Sequence, residues 1–79
     1  MTPQILVADD DRAIREALAR ALELEGYDVA TAADGTRALA AIEAGRPDLL
    51  VLDVMMPGID GLTVCRVLRA QRNQLPILM

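Results

Sequence analysis

Seventy-nine residues make one small domain and are too few for two. Hydrophobic residues reach 53% and charged residues 25%, a globular balance rather than a disordered one. The net charge of −4, with eight arginines, no lysine and no basic run, argues against a direct nucleic-acid contact by these residues. Cys65 has no partner for an internal disulfide, which predicts a reducing, cytoplasmic setting. The three acids Asp9-Asp10-Asp11 stand where a signal peptide needs an apolar stretch, and no run nears the ~18 apolar residues of a membrane span.

Residues 4–8, QILVA, predict a short buried strand stopped by those three acids. A helix over 12–25 follows, with Ile14, Ala17, Leu18, Ala21 and Leu22 on its inner stripe. Asp11 is its expected N-cap and Gly26 its stop. Residues 27–32 predict a second strand. Asp34-Gly35 opens a second helix through Ala44, with Ala38, Leu39 and Ile42 inward. Gly45 is expected to end it, and Pro47 blocks its continuation. Residues 48–53, DLLVLD, predict a third strand. Pro57-Gly58 and Asp60-Gly61 mark a loop before a helix over 61–72, with Val64, Cys65, Val67 and Leu68 inward. Residues 75–79, LPILM, predict a fourth strand that tolerates Pro76 near its start. With almost no aromatic residues, the core rests on Leu, Ile, Val, Ala and Met.

The order βαβαβαβ predicts an α/β, doubly wound parallel sheet with right-handed crossovers. In such sheets ligands bind outside the carboxyl ends of the strands, near the switch in strand order. Asp9 and Asp10 follow the first strand, and Asp53 follows the third. If those strands are neighbours, three carboxylates meet and repel one another. A hard cation relieves that, and Mg²⁺ favours a few carboxylates with water and phosphate oxygens. Each piece also has a plainer reading. Asp9-Asp10-Asp11 suits a solvated loop with a helix cap, and Asp53 suits a simple strand end. Met55-Met56 suit packing, and Cys65 suits the core. The arginines suit solvated helix faces. Only the combination of acids after strands one and three favours a site.

Three stretches, ILVADDD at 5–11, GYDVATAADGTRAL at 26–39 and PDLLVLDVMMPGIDGL at 47–62, carry a family resemblance. The chain resembles the receiver domain of two-component response regulators from Gln4 to Met79, in wording nearest the OmpR/PhoB type. That resemblance implies a flavodoxin-like sheet in the order 2-1-3-4. It implies Asp53 as phosphoryl acceptor from a sensor histidine kinase, making the chain a phosphoacceptor rather than an enzyme. It implies Asp9, Asp10, Asp53 and the Met55 backbone carbonyl as Mg²⁺ ligands, and a downstream DNA-binding output domain. Asp11 falls outside that metal set and stays a helix cap.

The family's Ser/Thr and Lys partners of the phosphoryl group are not among these residues. Residues 1–79 are therefore expected to be a partial receiver, with the fourth strand cut short and the fourth helix, fifth strand and fifth helix absent. An apolar, uncharged fourth strand at a sheet edge is an association hazard. A homodimer or a domain-swapped oligomer is the expected result. A rival function follows, a self-associating structural module without phosphotransfer. An aspartate-based phosphatase fits poorly, because it usually wants a second acid two residues past the nucleophile, where Met55 stands.

Overall fold

Alternation decides which way each strand faces. The computed structural model describes residues 2–79. It has strands β1 (Gln4–Ala8), β2 (Asp28–Ala32), β3 (Leu49–Leu52) and β4 (Ile77–Leu78), with helices α1 (Arg12–Leu24), α2 (Gly35–Gly45) and α3 (Gly61–Ala70) between them. All pairings are parallel, and the order is β2-β1-β3-β4, as the resemblance implies. Because β2 and β3 lie on opposite sides of β1, right-handed crossovers put α1 on one face and α2 with α3 on the other.

The α2–α3 face holds the main core. Leu6, Ala8, Ala32, Leu50 and Leu52 pack there against Ala38, Ile42, Met56, Val64, Leu68 and Leu75. Leu39 and Cys65 pack against this cluster from its margin. The opposite face takes Ile5 and Val7, both buried under α1.

The α1 stripe is the clearest departure from expectation. Ile14 is 49% and Leu18 37% exposed, Ala17 and Ala21 are exposed, Leu22 of the expected stripe is half-buried, and the buried residue of the helix is Ala19. A single helix seated over β1 and β2 touches the sheet along a narrow line, so the small Ala19 sits at the contact and larger residues flank it.

Element ends differ too. Asp48 and Asp53 fall just outside β3, and β4 keeps two of its five expected residues. Gly45 remains helical, and Arg46 takes the left-handed cap at φ 47°. Pro47 disfavours right-handed helical backbone at the residue before it, which moves the turn onto Arg46. The helix starts match closely. Asp11, Asp34 and Asp60 cap α1, α2 and α3 by accepting the N–H groups of Ile14, Arg37 and Thr63.

Gly61 governs how α3 leaves the sheet. Its N–H donates to the Val54 carbonyl at 3.1 Å. A Cβ there would stand 2.5 Å from the Asp53 carbonyl oxygen and 2.8 Å from Val54 Cα, both backbone atoms that cannot swing aside. We expect Gly61→Ala to destabilise the fold by about 1–3 kcal/mol through forced backbone shifts, read as a lower urea midpoint at unchanged m-value.

The Asp60 cap makes stability pH-dependent. The Thr63 N–H holds the Asp60 carboxyl below its ordinary value of 3.8, with a smaller pull from Arg66. Because the folded-state value is lowered, the contribution is complete above the ordinary value of 3.8 and is lost as pH falls from there through the folded one. Asp60→Asn keeps a capping oxygen without the titration. Its unfolding midpoint should therefore fall less steeply than the wild type's below pH 3.8.

Candidate functional site

The strand register builds the site. Ala8 lies opposite Leu52 in the β1–β3 ladder and opposite Ala32 in the β1–β2 ladder. Each ladder continues one bond further. The Asp9 N–H donates to the Ala32 carbonyl at 3.1 Å, and the Asp53 N–H donates to the Ala8 carbonyl at 2.9 Å. Asp9 and Asp53 are thus set side by side at the carboxyl end of the sheet, where the strand order switches.

Asp10 completes the group. One carboxylate oxygen from each of Asp9, Asp10 and Asp53 lies within 4.8 Å of the others. Asp9 is nearly buried, at 9% exposure, Asp53 is half-buried and Asp10 is exposed. The three acids proposed from sequence therefore meet. The donor set is all carboxylate oxygen, which suits a hard divalent cation and not a soft one.

Two of the carboxylates are aimed by local turns. Asp9 Oδ1 accepts the Asp11 N–H at 2.9 Å, and Asp53 Oδ1 accepts the Met55 N–H at 3.1 Å. In each case an Asp is steadied by the backbone two residues on. That leaves Oδ2 of each residue without a part in the turn. The Met55 side chain is 82% exposed, while Met56 beside it packs into the core at 5%. The expectation that both methionines pack holds for Met56 alone. Met55 sits on the turn after Asp53, with its backbone against the site.

The sequence places Arg15 on a solvated face. It is half-buried, and its Nη1 donates to the Asp9 main-chain carbonyl at 2.9 Å. The signal in the sequence is faint, an arginine one turn into a helix that follows acids. Asp11 plays no part beyond capping α1 and donating its N–H to Asp9.

A groove of about 830 Å³ lies at the other end of the sheet. It runs between α2 and α3 past Leu39, Glu43, Arg46, Gln71 and Pro76 and contains none of the three acids. The acids sit instead on an open rim, which suits a small ion better than an enclosed organic ligand. Among the described residues no helix is long and apolar enough to cross a membrane.

Known proteins share this fold. Response regulator MprA of Mycobacterium bovis is 58% identical over all 79 residues, and the chain spans 34% of that relative's length. The chemotaxis protein CheY4 of Vibrio cholerae superposes with a TM-score of 0.94 at 37% identity, covering all of this chain and 68% of that one. The response regulator TrrA of Thermotoga maritima, solved in complex with Mg²⁺-BeF, gives 0.91 at 42% identity, covering 96% of this chain and 66% of that one. The model of the response regulator receiver domain matches residues 5–79. With the order β2-β1-β3-β4 and a match of that length, the chain belongs to the receiver domain family of two-component response regulators.

Proposed function

We propose that Asp53 accepts a phosphoryl group from a phosphohistidine on a sensor histidine kinase, in a reaction that needs Mg²⁺. The observation that carries this reading is the meeting of Asp9, Asp10 and Asp53 within 4.8 Å. Residues 1–79 would be the β1-to-β4 part of a receiver domain, working in the cytoplasm and controlling a downstream DNA-binding domain. The kinship with MprA over the whole chain supports the regulator context.

The chemistry needs a nucleophile, a fixed angle of attack and relief of negative charge. Asp53 supplies the nucleophile. Its Oδ1 is steadied by the Met55 N–H, which favours Oδ2 for attack. The new O–P bond forms as the P–N bond to the donor imidazole breaks, and the bonding pair stays on the imidazole nitrogen. Asp9, Asp10, Asp53 and the Met55 carbonyl would hold Mg²⁺, which when bound offsets charge in the pocket and on the phosphoryl oxygens. The open rim leaves room for a donor side chain presented by another protein.

A structural module that only self-associates is the rival reading. It draws on Leu78 and Met79 at the β4 edge, 60% and 59% exposed. The two readings part on one experiment. Incubated with acetyl phosphate and Mg²⁺, the chain should gain one phosphoryl group by intact mass, and Asp53→Asn should gain none. No gain by the wild type would favour the association module.

A second expectation concerns the metal alone. A cation that binds only the folded chain raises its stability by mass action, about 1.4 kcal/mol at ten times Kd. For a domain of this size that is a rise of roughly 6–11 °C in Tm. Thermal melts with and without MgCl₂ should show this rise in the wild type and lose it in Asp9→Asn. An equal rise in both would place the cation elsewhere.

A further inference from the structure

Arg15 stands on the first turn of α1 and holds the loop that carries Asp9 and Asp10. Its own N–H donates to the Asp11 carbonyl at 2.9 Å, as any helical residue there would. Its side chain adds a longer bond. Nη1 reaches back six residues to the Asp9 carbonyl at 2.9 Å. The β1–α1 loop is thus tied to the same residue at both ends.

An arginine beside carboxylates has an obvious competing choice, a bidentate ion pair. Arg15 does not make it. The ion pairs among the described residues are Arg12–Glu16 and Arg37–Asp34, both outside the site. The guanidinium bonds a neutral carbonyl instead, so it takes up none of the carboxylate oxygens.

We infer that Arg15 is a positioning residue for the cation pocket, fixing the Asp9–Asp10 loop against Asp53 without covering the carboxylates. The inference rests on the reading of those acids as a Mg²⁺ site. It makes a counterintuitive demand. By charge alone, removing a cation near a cation site should tighten Mg²⁺ binding. By lost positioning, it should weaken binding, as outer-shell changes at metal sites do.

The sign of the change therefore decides. MgCl₂ is titrated calorimetrically into the 79-residue chain and into Arg15→Met, which keeps an apolar stem and loses the donors. We expect about tenfold weaker binding in Arg15→Met. Arg15→Lys, which restores a donor, should recover most of that loss. Circular dichroism checks that each variant is folded, and Arg15→Leu, which likewise lacks donors, replaces Arg15→Met if that variant unfolds. Binding that is unchanged or tighter without the guanidinium overturns the inference, and so does Arg15→Lys binding as weakly as Arg15→Met. Asp53→Asn separates the two levels of the argument. A wild type that binds no Mg²⁺, or an Asp53→Asn that binds it equally well, overturns the pocket itself and the inference with it.

Discussion

The register between β1 and β3 is the constraint on which the site depends. Ala8 faces Leu52, so the next residue on each strand is an aspartate. A slip of one residue would turn every side chain of β3 to the wrong face. Leu50 and Leu52, both buried, would leave the α2–α3 core. Each fully buried leucine contributes about 1.5–3 kcal/mol. Two charges 4 Å apart repel by about 1 kcal/mol in water and about 4 kcal/mol at a protein surface. Apolar burial on several strands thus outweighs the repulsion that it creates at their ends. The acids are held together by the core and not by any attraction of their own.

The order of elements could be read from sequence because each rests on a local signal. The apolar runs of β1 and β3 end in acids, and each helix begins at an aspartate that reaches three residues forward. The meeting of Asp9, Asp10 and Asp53 was legible for the same reason, since strand ends and sheet topology fix it. What escaped depends on packing that periodicity does not encode. The α1 stripe predicts a buried face wherever it lies, yet how much of it is covered depends on what else sits on that side of the sheet. The left-handed cap at Arg46 in place of Gly45 comes from the neighbour Pro47, a next-residue effect stronger than glycine's general preference. β4 is short because pairing needs a partner in register, and Ile77 and Leu78 are the residues that find Leu50 and Val51.

Main-chain contacts crowd the loop after β3. Asp53, Val54 and Gly61 come within contact of one another along their backbones. Gly35, at the start of α2, likewise abuts the Ile59 carbonyl, so the loop is pressed from two sides. Its shape is set by main-chain contacts. The exposed Met55 can therefore vary in side chain while its N–H still meets Asp53. Position and identity are separable there, whereas at Gly61 they are not.

Aspartates at the ends of these strands divide by how far each reaches. Asp11, Asp34 and Asp60 accept an N–H three residues on and so spend an oxygen on a helix end. Asp9 and Asp53 accept an N–H two residues on and so brace themselves within a turn. The first kind serves the helix, and the orphan donors there would be left unpaired without it. The second kind orients the carboxylate itself and leaves its Oδ2 outside the turn. Composition cannot tell these roles apart in the run Asp9-Asp10-Asp11, where three identical residues sit in a row. The backbone does so, because a strand must end before a helix can begin. The residue that closes the strand cannot also cap the helix, which falls to Asp11, and Asp9 and Asp10 are left facing Asp53.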